Sequence, residues 1–157
     1  MVAAFRLMGL PAGDLESFLG RYRFGRAALR ATGMLDQDGR WTGRHGAASD
    51  EAFDSSRPPQ DDALIDLVRE MERRLEENGS NAHLGRTVRG VRGEFVVTEA
   101  GLLGAALRQG SEPVREYLEH LEASGWRSDF AALPDAQRRL FLRIEARLRH
   151  FEEAPYR

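Results

Sequence analysis

Cysteine and lysine are both absent from this chain of 157 residues. The first absence excludes a disulfide scaffold, a thiolate zinc site and a cysteine nucleophile, while leaving the redox compartment open. The second makes all 23 basic residues arginine, a bias that fits a GC-rich genome as well as any physical demand. Long apolar runs are missing too. Met1 to Leu10 is mildly apolar, but it carries Arg6 and is soon followed by Pro11 and Gly13. It is too short for a membrane span and lacks the charged, apolar and small-residue order of a signal peptide, so neither a transmembrane segment nor a leader is expected. A formal net charge of -2 argues against bulk attraction to nucleic acid or an acidic membrane. His45, His83, His120 and His150 stand far apart with no H-x-x-x-H pairing, and no Walker loop or G-x-S-x-G elbow is present. No metal and no cofactor are expected.

With 41% hydrophobic residues, the chain has enough apolar surface for one core, and a single domain over 1–157 is the natural reading. The pattern predicts a mainly α fold with one small β-hairpin. Short helices are expected over Asp14 to Leu19 and Gly25 to Thr32, then an irregular loop from Asp36 to Ala48. Ser49 should cap a short helix through Phe53, and Ser55, Ser56, Pro58 and Pro59 should break the chain. From Gln60 to Asn78, Leu64, Leu67, Val68, Met71 and Leu75 recur at helical spacing, with Gly79 as the stop. Thr87 to Val97 reads as the hairpin. Thr98 caps a helix with Leu102, Leu103, Ala106 and Leu107 inward, and Pro113 restarts the pattern through Leu121 up to Gly125. Pro134 opens a last helix carrying Leu140, Phe141, Ile144, Leu148 and Phe151, with Pro155 at its end.

The most distinctive stretch is Phe18-Leu19-Gly20-Arg21-Tyr22-Arg23-Phe24-Gly25-Arg26-Ala27-Ala28-Leu29, a glycine-bracketed aromatic pair that runs into a helix and reads like part of a cleft. Two further segments accompany it, Trp41-Thr42-Gly43 and Thr98-Glu99-Ala100-Gly101-Leu102-Leu103. Arg23, Arg26 and Arg30 fall on one helical face, able to bind an anion or an acidic partner, or simply to face solvent.

Together these segments resemble the lysozyme-like, lytic-transglycosylase-like peptidoglycan-degrading domains associated with phages and prophages. Their turn has the pattern G-(R/K)-Y-Q-F-G, matched here by Gly20 to Gly25, and their later helix T-E-x-G-L-L is matched from Thr98. Trp41-Thr42-Gly43, Gly46, Ser49 and Phe53 also fall where that family has W-T-G, G, S and F. The resemblance spans about 18–118 and leaves 126–157 as a C-terminal helical extension. It implies a lysozyme-like α+β fold and a sugar cleft lined by Tyr22, Arg23, Phe24, Trp41 and Glu99.

The chain departs from the pattern in several places. The turn's glutamine is Arg23, and the later helix's histidine is Leu107. The family's catalytic glutamate lies in an E-S-G-G-N-like motif well before the turn, whereas here Glu16-Ser17 imitates its first two letters just ahead of Gly20. Glu16 is the one candidate acid, with a helix-surface carboxylate as the alternative. Glu99 at the first turn of its helix has a dipole-stabilising alternative, and Phe24 has a core alternative to sugar stacking. The resemblance therefore implies a degenerate component of a phage, prophage or gene-transfer particle that binds peptidoglycan glycan or plays a structural part. If active, it would be a lytic glycosidase or transglycosylase. The other reading is a helical assembly or adaptor protein without a glycan site, its partners being other particle proteins. A particle-associated or cytoplasmic location goes with either.

Overall fold

The computed structural model describes residues 18–152, which fall into two compact units divided between Glu70 and Met71. The chain is mainly helical with one two-stranded antiparallel sheet, as the periodicities predict. Helices are α1 (Arg26–Ala31), α2 (Asp50–Asp54), α3 (Arg57–Glu77), α4 (Glu99–Gln109), α5 (Ser111–Ala123) and α6 (Asp135–His150), and strands are β1 (Thr87–Gly90) and β2 (Gly93–Val96). Of the short helix expected over Asp14 to Leu19, only Phe18 and Leu19 are described. Leu19 is not helical but pairs with Phe24 across a tight turn.

In the first unit the core is built around Phe24, Leu29, Met34 and Phe53, all with no exposed surface. Ser49 caps α2 by accepting the Ala52 N–H, as its sequence position predicts. The break expected across Ser55 to Pro59 is shorter than that. α3 begins at Arg57 and takes Pro58 and Pro59 into its first turn. Proline fits there because the first N–H groups of a helix have no intrahelical acceptor to lose.

The second unit is organised on α4, whose residues Ala100 to Leu107 are all buried. Close approach to the end of α6 depends on Gly104: a Cβ there would fall 2.7 Å from the Phe151 ring. Phe141, Ile144, Leu148 and Phe151 all turn inward, as their spacing predicts, while Leu140 is half-buried. The hairpin pairs Thr87 with Val96 and Gly90 with Gly93, placing Val91 and Arg92 at its tip. Its β1 edge is covered, because Arg89 exchanges backbone hydrogen bonds with Trp126 and Ser128. An edge satisfied in this way does not recruit another strand.

Candidate functional site

The turn from Gly20 to Gly25 is tied to the rest of its unit through backbone N–H groups and the Tyr22 hydroxyl. Gly20 N–H donates to Asp54 Oδ1 at 2.8 Å, and Arg21 N–H donates to Gln60 Oε1 at 2.8 Å. Buried Gln60 in turn donates from Nε2 to the carbonyls of Phe53 and Asp54, at 2.7 and 3.1 Å. One amide side chain thus ties the turn to the α2–α3 junction. Gly20 adopts φ +75°, and a Cβ there would come within 2.8 Å of Gln60, so glycine is needed on both counts.

Tyr22 is 6% exposed, and its hydroxyl donates to Asp61 Oδ1 at 2.6 Å. Burial first, and then the hydrogen bond to Asp61, raise the Tyr22 hydroxyl above its ordinary pKa, so the neutral phenol is retained. Phe24 has no exposed surface and packs edge-on against Phe53, with ring centroids 5.5 Å apart. Phe24 is therefore a core residue rather than a ligand contact, because a sugar has no face of this ring to reach. Tyr22 presents little more. Arg23, at φ +58°, is exposed and lies over the Phe18 ring.

Trp41 is half-buried. Its ring packs on Phe53 with centroids 5.4 Å apart, and its Nε1–H donates to Asp50 Oδ1 at 2.7 Å. Arg26 completes the arrangement with two bonds to the same carboxylate, at 3.1 and 2.5 Å. The Arg26 bonds, followed by that from Trp41, hold Asp50 below its usual pKa against the opposing effect of burial. With Arg26 engaged by Asp50, the expected arginine face is not a uniform row of available cations.

Of the remaining expected residues, Glu16 lies outside the described residues. Glu99 is exposed at the first position of α4, behind Thr98, which caps the helix by accepting Gly101 N–H. That placement suits a carboxylate stabilising the helix dipole. Glu99 belongs to the second unit, whereas Tyr22, Arg23, Phe24 and Trp41 belong to the first.

Two clusters escaped the sequence reading. His45 holds φ +55° between Gly43 and Gly46, both also at positive φ, and its Nε2 lies 2.7 Å from Asp66 Oδ2. Arg44 Nε donates to the same oxygen at 3.0 Å, and Asp62 lies 3.7 Å from His45 Nδ1. Burial works to raise the Asp66 carboxyl, but the hydrogen bonds from His45 and Arg44 outweigh it and leave the pKa lowered. The only sequence sign was the pair of bracketing glycines, together with aspartates one helical turn apart.

The second cluster is centred on Glu145, which is 1% exposed. It accepts Val91 N–H at 3.0 Å, Tyr117 hydroxyl at 3.1 Å and the Ser128 hydroxyl. Burial and the adjacent Glu145 push the Tyr117 hydroxyl well above its ordinary pKa. These bonds join the hairpin tip to α5, α6 and the segment before α6. With its partners all internal, Glu145 braces the fold rather than meeting a ligand.

The second unit also carries an open depression of about 650 Å³ lined by Arg74, Glu77, Asn78, Ser111, Glu112 and Arg115, two cations against two anions. Among the described residues, no group of three or more His, Asp or Glu side chains is placed to hold a metal ion, and no helix is long and apolar enough to cross a membrane. Comparison with protein-family models, curated proteins and solved structures finds no match for this chain.

Proposed function

We propose that this chain is a degenerate lysozyme-like domain of a phage, prophage or gene-transfer particle, and that its role is structural rather than lytic. The observation that carries the reading is the condition of the Gly20–Gly25 turn. Its two rings are buried, its Tyr22 hydroxyl is bound to Asp61, and two of its N–H groups are bound to Asp54 and Gln60. A turn that lines a sugar cleft needs donors and ring faces free for the ligand; this one directs them into its own unit. The sequence motif then survives as a packing device.

A second reading, glycan binding without cleavage, rests on Trp41. Its ring is half-buried, and its Nε1–H is fixed by Asp50, which sets the orientation of the indole. An oriented, partly exposed indole can stack on a sugar ring. Co-sedimentation with purified peptidoglycan, run beside turbidity clearing, separates the possibilities. The structural role predicts protein left in the supernatant and no clearing. Retention that is lost in Trp41→Ala would favour the second reading, and clearing would overturn both.

A further inference from the structure

The last helix is used on only one side. Phe141, Ile144 and Leu148 turn into the core, whereas Ala136, Arg139, Arg143, Ala146 and His150 follow one another at helical spacing and are all exposed. Arg139 and Arg143 have no ion-pair or hydrogen-bond partner among the described residues. Leu142, 37% exposed, borders this face one turn before Glu145, and Val91, 54% exposed, is anchored to Glu145 by its N–H. Leu142 therefore adds an exposed apolar side chain beside the arginine face.

Helix α5, in the same unit, has the opposite charge. Val114, Tyr117, Leu118 and Leu121 turn inward. Glu112, Glu116, Glu119 and Ala123 form its exposed stripe at spacings of four, three and four. Arg115 steadies the stripe from its edge, reaching Glu112 at 2.8 Å and Glu119 at 2.7 Å, while Glu116 has no partner among the described residues. The two stripes are alike in length, about 16 Å on α5 and about 21 Å on α6 at 1.5 Å per residue. Alanines on both permit close helix approach.

We infer that the arginine face of α6 docks on the glutamate stripe of α5 in a second copy of this chain. The occupant is argued from charge: one face supplies unpaired guanidinium groups, the other supplies carboxylates, and neither suits a copy of itself. The contact is therefore head-to-tail. Each added copy leaves one α5 and one α6 face open, so association continues into a ring or a filament. The inference rests on the structural reading above and names its partner.

The test is sedimentation velocity of the full chain across a concentration series at low salt and at about 0.5 M salt, where surface charges are screened. Association that grows with concentration and weakens with salt is expected. R139E/R143E and E116R/E119R should each weaken it at least about tenfold, since like charges then face each other. An equimolar mixture of the two variants, and a single chain carrying all four changes, should both recover it. Circular dichroism establishes that each variant keeps its helices. A wild type that stays monomeric throughout, or association indifferent to either reversal, would overturn the inference. Monomeric protein that neither clears nor binds peptidoglycan would remove this partner and leave the structural reading standing, whereas clearing would remove the reading itself.

Discussion

Single residues decide whether the Gly20–Gly25 turn acts as a cleft or as a brace. Tyr22 and Phe24 were visible in the sequence as an aromatic pair between glycines, but nothing local says which way a ring turns. Their direction is set by Gln60 and Asp61, about forty positions away, and by Phe53. The same limit applies to Glu145, which looks like any helix-surface glutamate until Val91, Tyr117 and Ser128 are brought to it. Removing its carboxylate leaves the buried Tyr117 hydroxyl and the less buried Val91 N–H and Ser128 hydroxyl without their acceptor, so Glu145→Ala should cost about 2–4 kcal/mol in chemical denaturation. Tyr117→Phe, which removes one donor and leaves the others bonded, should cost about 1–2 kcal/mol. The raised Tyr117 pKa has its own pH signature. A group whose folded pKa lies above its unfolded value contributes stability fully present below about pH 10, and this is lost as pH rises further. Denaturation midpoints should therefore fall above about pH 10 in the wild type and fall less in Tyr117→Phe. Asp50 works in the opposite direction: its lowered pKa gives stability present above the ordinary carboxylate range and lost as pH falls through the folded value. Asp50→Asn should flatten that acid limb, measurable by thermal melts between about pH 5 and pH 2.

Elements were far more legible than sites. The stripes Leu64 to Leu75 and Phe141 to Phe151 gave α3 and α6, and Ser49 and Thr98 marked helix starts that the structure caps as expected. These signals are local, since helical spacing and a side-chain cap need only a few neighbouring residues. The start of α3 was missed because two prolines look like a break, yet at the first turn they cost no hydrogen bond. Element packing also leaves a testable mark at glycines that no periodicity singles out. Gly104→Ala gains helix propensity of about 1 kcal/mol, but its Cβ would meet the Phe151 ring at 2.7 Å. Overpacking should prevail, lowering the thermal midpoint. Gly90→Ala, which would meet Phe95 at 2.9 Å and Glu145 at 3.1 Å, should detach the hairpin tip. Loss of amide-exchange protection at Val91 before global unfolding would report that detachment.

For the whole molecule, a sequence pattern and the use the fold makes of it can be separated. A chain can carry a turn, a W-T-G segment and a capped helix because each stabilises a unit, with no demand that they enclose a substrate. Here the turn's rings and several of its donors serve the first unit, the Glu145 network serves the second, and charged helix faces are exposed among the described residues. That distribution is what the proposed structural role requires. The most direct measurement is the release of soluble glycan fragments, with either reducing or 1,6-anhydro ends, from purified peptidoglycan by the full chain, with Glu16→Gln in parallel. The account predicts release at the no-protein baseline for both proteins. Release by the wild type that vanishes in Glu16→Gln would contradict it and make Glu16 a working acid.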